Sequence, residues 1–215
     1  MTTIGLIGAG HIGAQLARLA VANGYDVVIS NSRDPETLAD MVKKLGAHAK
    51  AGVPVDAARA ADIVIVSIPF KSYRSVPVEP CVGKIVIDTN NYYAQRDGNF
   101  PELDNETTTS SQLLQAHLKG SLVVKAFNHL YAAELASHAQ PRGTSNRRAL
   151  AIAGDDWDAK EIVSRLIDRF GFDTVDLGTL RESWRIEPGT PGYGPRRTAQ
   201  QLREDLAAAR RGAYD

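Results

Sequence analysis

A glycine-rich turn near the start of the chain limits its possible folds more than any other feature of the sequence. The apolar run Thr3–Ile7 is followed directly by GAGHIG, which leads into an amphipathic segment, Ile12–Asn23. This order predicts a strand, a tight turn and a helix within a strand–helix–strand unit of about 30 residues. Glycines also occur in ordinary turns, but a glycine turn in this setting favours a dinucleotide-binding site. The residues of the turn are Gly8, Ala9, Gly10, His11, Ile12 and Gly13.

Each glycine of the turn has a physical task in such a site. Gly8 permits the sharp bend, Gly10 lets a pyrophosphate approach the backbone, and Gly13 lets helix and strand pack closely. The N-terminus of the helix adds free N–H groups and a partial positive charge, which attract phosphate. The turn therefore predicts pyrophosphate binding at the start of the first helix.

Short apolar runs recur along the chain, with helical segments between them. Several runs, such as Asp62–Ile68, are apolar on both faces, which is typical of strands inside a parallel sheet covered by helices. The predicted strands are Thr3–Ile7, Asp26–Ser30, Asp62–Ile68, Lys84–Asp88, Leu122–Phe127, Ala149–Ala153 and Asp173–Leu177, with a weak one at His48–Lys50. The predicted helices are Ile12–Asn23, Pro35–Leu45, Pro54–Ala60, Thr109–Leu118, Ala132–His138 and Trp157–Phe170. This alternation predicts a doubly wound, mostly parallel α/β sheet, the Rossmann NAD(P)-binding fold.

The sequence changes character after Gly178. The stretch PGTPGYGP at residues 188–195 favours a loop, and Thr198–Arg211 has the pattern of one last helix. We therefore predict a cofactor-binding domain over residues 1–178 and a C-terminal loop and helix over residues 179–215. The last helix is expected to pack either on the body of the domain or on a second subunit.

Composition excludes several classes of protein. The chain of 215 residues carries 25 basic and 25 acidic side chains, and this balance argues against nucleic acid as a partner. Its single cysteine, Cys81, cannot form an internal disulfide, which fits the reducing cytoplasm. Because no apolar stretch approaches the ~20 residues that span a bilayer, we expect a soluble, cytoplasmic protein without a membrane partner.

Motifs for hydrolysis and metal chemistry are missing from the sequence. It contains neither a GxSxG nor an HExxH pattern, and its five histidines show no paired ligand spacing with Cys81. We expect no metal site, and the sequence favours redox chemistry on a bound dinucleotide.

The residues after the second predicted strand indicate NADP as the dinucleotide. NAD-binding proteins of this type place Asp or Glu about 20 residues past the glycines, to bind the adenosine ribose. The residues at that point here are Ser30, Asn31, Ser32 and Arg33. Hydroxyls, an amide and an arginine suit a 2′-phosphate. Ser32 is also placed to cap the helix predicted from Pro35, and the two roles are compatible.

Polar and aromatic residues follow three further predicted strands, at the edge of the sheet where ligands bind. In doubly wound sheets the ligand lies beyond the carboxyl ends of the strands. The three segments are SIPFKSY at 67–73, DTNNYY at 88–93 and KAFNH at 125–129. Asparagines also suit turns and tyrosines suit half-buried packing, so we treat the segments together as the candidate nicotinamide end. Lys125 ends an apolar strand and is expected to be exposed, paired or near phosphate.

Taken in order, these segments resemble the NADP oxidoreductases that depend on the deazaflavin coenzyme F420. The resemblance covers about residues 1–187 and rests on GAGHIG, SNSR, SIPF, VVKAFN, AIAGDD and DLGTLRESW. The NADPH-binding domain of the six-transmembrane metalloreductases is similar too, particularly in its KxFN and SxW segments. Both resemblances imply NADP as cofactor. In the deazaflavin-dependent family a hydride passes directly between nicotinamide C4 and deazaflavin C5, so positioning and exclusion of water supply the catalysis.

The resemblance also implies roles for individual residues. Residues 9–13 would contact the pyrophosphate and residues 30–33 the 2′-phosphate. The predicted residues of the nicotinamide half and its surroundings are Ser67, Ile68, Pro69, Tyr73, Asn90, Asn91 and Ala132. The family carries a histidine near the acceptor where this chain has Asn128, followed by His129, and we take these two as the predicted catalytic residues.

The expected function is that of an NADPH-dependent oxidoreductase acting on coenzyme F420 or a flavin, FMN or FAD. A homodimer is expected from the family, with the helix at 198–211 and the loop before it as candidate contacts. Two alternatives stay open. One is an imine or carbonyl reductase, although such enzymes usually add a helical domain of ~100 residues or more. The other is a non-catalytic NADP-binding sensor or partner subunit.

Overall fold

Residues 2–212, the part of the chain described by this computed structural model, contain one sheet of eight strands. The strands are β1 (Thr3–Ile7), β2 (Asp26–Ser30), β3 (Ala49–Ala51), β4 (Ile63–Val66), β5 (Ile85–Asp88), β6 (Leu122–Lys125), β7 (Ala149–Gly154) and β8 (Asp173–Asp176). Their order across the sheet is β3-β2-β1-β4-β5-β6-β7-β8. All pairs are parallel except β6 with β7. The predicted doubly wound, mostly parallel α/β fold is confirmed.

The helices lie in the predicted intervals, with small shifts at their ends. They are α1 (His11–Ala22), α2 (Ala39–Leu45), α3 (Pro54–Ala60), α4 (Ala94–Asp97), α5 (Pro101–Asp104), α6 (Ser110–His117), α7 (Ala132–Ser137), α8 (Trp157–Arg169) and α9 (Ala199–Ala208). The first part of the helix predicted from Pro35 is a 3-10 turn, Pro35–Leu38. Further 3-10 segments, at 70–75, 79–81 and 180–186, and the short α4 and α5 lie where the sequence predicts no helix.

Helices cover both faces of the sheet, as two-sided apolar strands require. On one face α1, α2, α7 and α8 pack their apolar side chains over β1, β2 and β6. On the other face α3 and α6 pack over β4 and β5, together with an aromatic group around Phe70. The carboxyl ends of β1, β2, β4, β5 and β6 meet at one edge of the sheet, which we call the cofactor edge.

The C-terminal extension folds back on the body of the domain. Leu202 and Leu206 of α9 are buried against β7, β8 and Ile186. The apolar face of this helix is therefore used within its own chain, and the expectation of packing on the body holds. The loop before it is bonded to the cofactor edge, because the Gly194 N–H donates to the carbonyl of His129 over 3.0 Å. The last residues of the predicted extension, 213–215, lie outside the described residues.

Candidate functional site

The glycine turn after β1 has no room for side chains at two positions. Gly8 adopts φ of +112°, and a Cβ there would lie 2.0 Å from the carbonyl oxygen of Ser67. A Cβ on Gly13 would lie 2.1 Å from the carbonyl oxygen of Gly8. These two glycines let α1 begin close against β1 and β4, as the sequence predicts for a dinucleotide turn.

Gly10 is different, because nothing lies within 4 Å of the position its Cβ would take. It is the N-cap of α1, and no side chain caps this helix end and no acid lies in its first turn. The first N–H groups of a helix carry a partial positive charge and need acceptors. The exposed turn formed by Gly10 and His11 therefore suits an anionic group such as a pyrophosphate.

The loop after β2 lies beside this turn and offers three exposed or half-exposed polar residues. Asn31 fixes the loop: its Oδ1 accepts from the N–H of Arg33 over 2.8 Å and its Nδ2 donates to Thr37 over 3.0 Å. Ser32 and Arg33 are exposed. The 3-10 turn from Pro35 has no side-chain cap, so the alternative role of Ser32 as a helix cap is not observed. Asn31, Ser32 and Arg33 are placed to hold a 2′-phosphate.

Ser30 does not share this exposure. Its side chain is fully buried, and its hydroxyl donates to the carbonyl of Leu6 over 2.8 Å. Its own carbonyl accepts from the N–H of Gly8. The residue joins β2 to β1 and supports the glycine turn from below, and its predicted phosphate contact stays a prediction.

The loops after β4 and β5 meet at the next part of the cofactor edge. The N–H of Ile68 donates to Asn90 Oδ1 over 3.0 Å, and Ser67 and Pro69 flank it at the surface. Asn90 is only 3% exposed, and its Nδ2 has no hydrogen-bond partner among the described residues. A buried donor without a partner costs free energy, and a bound ligand can remove that cost. This orphaned amide fits the predicted nicotinamide end.

Tyr73 lies deeper than the sequence predicts for a residue that contacts nicotinamide. Its ring is 4% exposed and stacks on Phe70 with centroids 4.9 Å apart. Phe100 and His117 pack against the same ring, and its hydroxyl accepts from Arg74. Tyr73 supports the loop after β4 from within an aromatic cluster, and its contact with nicotinamide stays a prediction.

Asn91, Asn128, Tyr93 and Tyr193 form one polar cluster at the ends of β5 and β6. Asn91 and Asn128 exchange two hydrogen bonds, from Asn91 Nδ2 to the Asn128 carbonyl over 2.7 Å and from Asn128 Nδ2 to Asn91 Oδ1 over 3.0 Å. The phenol oxygens of Tyr93 and Tyr193 are 2.6 Å apart. Burial and the bond to Tyr93 raise the pKa of Tyr193 above its ordinary value, so its proton stays on at neutral pH. The C-terminal loop thus supplies a phenol to the cofactor edge.

The two predicted catalytic residues, Asn128 and His129, are both buried and fully engaged. Asn128 Nδ2 also donates to the carbonyl of Ile186, and its Oδ1 faces His129 Nδ1 at 3.3 Å. His129 Nε2 accepts from the N–H of Ala151, so Nδ1 carries the proton. Burial, with the nearby cations Arg148 and Lys125, lowers the pKa of His129 to about 3. His129 is therefore neutral, and both residues hold the loop after β6 in place; their catalytic role stays a prediction.

Ala132, the last of the predicted cofactor residues, is half-buried at the first position of α7. The helix packs against α1 and so lies beside the helix that follows the glycine turn.

Lys125, at the end of β6, is fully buried and paired with Asp88 over 3.2 Å. Of the three expectations for this lysine, the paired state is the one observed.

Residues 2–212 contain neither a metal-binding cluster nor a membrane-spanning helix. No group of three or more His, Cys, Asp and Glu side chains is arranged to hold a metal ion in this part of the chain. None of the helices within the same residues combines the length and the apolar character needed to cross a membrane.

Known proteins share this geometry. A solved structure of a hypothetical protein from Sinorhizobium meliloti is 36% identical to this chain, with a TM-score of 0.75, and the match covers 93% of this chain and 94% of that one. A family model described as NADP oxidoreductase, coenzyme F420-dependent, matches residues 3–92. The chain belongs to this family. It is thus a member of an NADP-dependent oxidoreductase family, and family and fold both support NADP as its cofactor.

Other relatives agree with the family. Metalloreductase STEAP3 of Rattus norvegicus is 28% identical over 186 residues, which are 86% of this chain and 35% of that protein. The chain spans little more than a third of the length of the curated relatives it matches. A solved structure from Arthrobacter, named for F420-dependent NADP reduction, shares the fold at 24% identity and a TM-score of 0.73, over 86% of this chain and 87% of that one.

Sequence reasoning missed two structural features of the candidate site, the placement of Tyr193 and the burial of Asp88. Tyr193 lies in a loop defined by proline and glycine, and the only signal was that it is the one aromatic residue in residues 188–195. Asp88 ends an apolar strand, where a carboxylate is costly to bury, and that cost was the signal for a partner. Lys125, at the end of another apolar strand, is that partner.

Proposed function

We propose that the protein is an NADPH-dependent oxidoreductase that transfers a hydride between NADPH and a deazaflavin, coenzyme F420, or a flavin, FMN or FAD. One observation carries the proposal. The ends of β5 and β6 present amides and phenols, while the histidine that follows β6, His129, is buried and neutral. Such an edge suits hydride transfer between two stacked rings, which requires no side chain to exchange a proton with the reacting carbons.

NADPH would supply the hydride from its nicotinamide ring, and the chain supplies binding and orientation. The N–H groups at Gly10–Gly13 would bind the pyrophosphate, and Asn31, Ser32 and Arg33 the 2′-phosphate. Ile68, Pro69 and Asn90 would hold the nicotinamide half. Ligand placement of this kind is worth several orders of magnitude in rate, since the reacting atoms need a fixed approach.

The C-terminal extension would form the acceptor side of the site. The loop at 188–195 brings Tyr193 to Asn91 and Tyr93 at the ends of β5 and β6. These groups limit the access of water to the ring that receives the hydride. We propose that residues 1–178 bind NADP and that residues 179–215 contribute to acceptor choice.

A second candidate is an NADPH-dependent reductase of a carbonyl or imine, and one observation favours it. The phenols of Tyr93 and Tyr193 lie together at the cofactor edge, with their oxygens 2.6 Å apart. A carbonyl oxygen or imine nitrogen takes up one proton when it receives a hydride. A hydrogen-bonded phenol pair is a suitable source.

A direct assay separates these functions. Purified protein is mixed with NADPH and, in turn, with F420, FMN, FAD, a ferric chelate with FMN, or a cyclic imine, and NADPH absorbance is followed. Gly10→Ala, which would block the pyrophosphate, is the matched inactive control. Reduction of F420 or a flavin supports the proposal, reduction of the imine alone supports the second candidate, and tight NADPH binding without any turnover supports a sensor.

We further propose a cytoplasmic homodimer, as the family resemblance implies. Because Leu202 and Leu206 are buried within their own chain, the contact would involve other surfaces than the apolar face of α9. Light scattering at several protein concentrations tests the dimer. A monomer at all of them would contradict it.

A further inference from the structure

A buried ion pair joins the ends of β5 and β6 beneath the candidate nicotinamide end. Asp88 and Lys125 are opposite each other in the parallel register, and their side chains are 1% and 0% exposed. Lys125 Nζ lies 3.2 Å from Asp88 Oδ2. Burying both charges is expensive, and an apolar pair of similar volume would serve stability equally well. The cost of burying the two charges therefore points to a functional role for the pair.

Both charges act on the same neighbour, Asn90. Lys125 Nζ donates to the carbonyl of Asn90, and Asp88 Oδ1 accepts from the N–H of Asn90 over 2.9 Å. The remaining bonds are satisfied by two serines, since Lys125 also donates to Ser110 Oγ and Asp88 Oδ2 also accepts from Ser111 Oγ. The ion pair thus fixes the main chain of Asn90 from both sides.

The side chain of Asn90 is fixed as well, but only at one end. Its Oδ1 accepts from the N–H of Ile68, which sets the plane and direction of the amide. Its Nδ2 is left buried and without a partner among the described residues. A donor held in this way is pre-positioned for an oxygen acceptor that arrives with a ligand.

We propose that Asp88 and Lys125 are positioning residues that hold Asn90 so that its free amide donates to an oxygen of the nicotinamide half of NADP(H). The inference rests on the proposed function, because it requires that the dinucleotide extends from the glycine turn across the ends of β4 and β5. It adds to that function by assigning recognition of the nicotinamide half to the buried network of Asp88, Lys125 and Asn90.

The C-terminal extension is part of the same network. Glu187 Oε1 accepts from Ser110 Oγ over 3.2 Å, and Ser110 Oγ in turn accepts from Lys125 Nζ over 3.1 Å. A continuous line of bonds therefore runs from Glu187 through Ser110 and Lys125 to Asn90. These bonds connect the extension directly to the network around Asn90.

The test compares two probes, NADP+ and 2′,5′-ADP, by isothermal titration calorimetry. The second probe carries the adenosine and the 2′-phosphate but no nicotinamide. Asn90→Asp keeps an acceptor for Ile68 N–H and removes the free amide donor. The double variant Asp88→Asn with Lys125→Met removes both buried charges together, because Lys125→Met alone would leave an unpaired carboxylate and could fail to fold.

A matched control is available at Lys84. Its Nζ donates to the carbonyls of Ala58 and Arg59 over 2.7 and 3.0 Å, at the amino end of β5 and away from the cofactor edge. Lys84→Met should leave the affinities for both probes unchanged. Thermal unfolding of every variant is the check that it folds.

We expect Asn90→Asp and the double variant to weaken NADP+ by about tenfold, the worth of one good hydrogen bond. Affinity for 2′,5′-ADP should stay within about twofold, because the adenosine half is untouched. Equal losses of affinity for both probes would mean that Asp88 and Lys125 have only a structural role, and would overturn the inference. An unchanged NADP+ affinity in Asn90→Asp would overturn it too. If the wild-type protein binds 2′,5′-ADP but NADP+ no more tightly, the inference fails while the adenosine site stands. Failure to bind either probe would overturn the proposed function itself.

Discussion

The phenol oxygens of Tyr93 and Tyr193 lie 2.6 Å apart, although a hundred residues separate the two tyrosines in the chain. The bond ties the C-terminal loop to the segment after β5. Arg96, stacked 4.8 Å from the Tyr93 ring centroid, and Asn91, 3.4 Å from the Tyr193 oxygen, fix the two phenols from either side. The contact is one of several that hold the extension at the cofactor edge, together with the bond from the Gly194 N–H to the His129 carbonyl.

The first prediction concerns this pair. A double-mutant cycle of Tyr93→Phe and Tyr193→Phe, measured by urea unfolding, should give a coupling energy of about 1 kcal/mol, the net worth of one hydrogen bond. Tyr193→Phe should also slow reduction of the acceptor by up to about tenfold while NADP+ affinity is unchanged. Tyr25→Phe, which removes a phenol bonded to Arg169 on another part of the body, is the control. Additive single effects would contradict the coupling.

The second prediction concerns the choice of dinucleotide. Arg33→Glu should weaken NADPH by at least about tenfold and NADH much less, because a carboxylate repels the 2′-phosphate and suits free ribose hydroxyls. Lys44→Glu makes the same change of charge on the exposed face of α2 and should affect neither. Dissociation constants for both dinucleotides provide the measurement. Equal losses of NADPH and NADH in Arg33→Glu would remove Arg33 from the phosphate site.

The third prediction separates the glycines of the turn. Gly13→Ala would place a Cβ 2.1 Å from a carbonyl oxygen and should destabilise the fold by about 1–3 kcal/mol, as overpacking does. Gly10→Ala meets nothing within 4 Å and should melt like the wild type, yet lose NADPH binding because the methyl group occupies the space of the pyrophosphate. Thermal unfolding and fluorescence titration with NADPH test both. Retained binding in Gly10→Ala would show that the phosphates lie elsewhere.

The fourth prediction concerns pH. The pKa of His129 falls from the ordinary 6.5 to about 3 in the folded protein. As the pH falls, the unfolded chain therefore takes up a proton on this histidine before the folded protein does. This contribution to stability is complete above about pH 6.5 and is lost at about 1.4 kcal/mol per pH unit as the pH falls toward 3. His129→Gln, whose Oε1 can accept from Ala151 N–H, should lose less stability between pH 7 and 5 than the wild type. If the free energy of unfolding, measured with urea, falls by the same amount in both proteins over that range, the assignment is wrong.

Much of the fold could be predicted from the sequence because its signals are local. The apolar run before the glycines, the two-sided strand around Ile65 and the glycines after helices each constrain their own segment. The antiparallel pairing of β6 with β7 could not be predicted, since the direction of a strand depends on its connections and not on its own residues. The 3-10 segment at 70–75 forms because Phe70 and Tyr73 bury their rings together, which is a tertiary effect.

The candidate site, like the fold, could be predicted from the sequence only in part. The exposure of Gly10 and Arg33 follows from their loops, and the sequence predicts it. Ser30, Tyr73 and His129 lie beside such loops but face inward, and residue type alone cannot show which way a side chain turns at the end of a strand. The partner of Tyr193 could not be predicted either, because a long-range contact from a loop leaves no periodic pattern.

The loops proposed to bind NADP and the extension proposed to contact the acceptor come from different parts of the chain. The phosphate turn and the loops after β2 and β4 are complete by residue 69, whereas Tyr193 arrives with the extension. Under the proposed function, substitutions within residues 179–215 would therefore change the preferred acceptor and leave the dinucleotide preference unchanged. Exchange of this segment between relatives would then be a short route to a new acceptor with the same hydride donor.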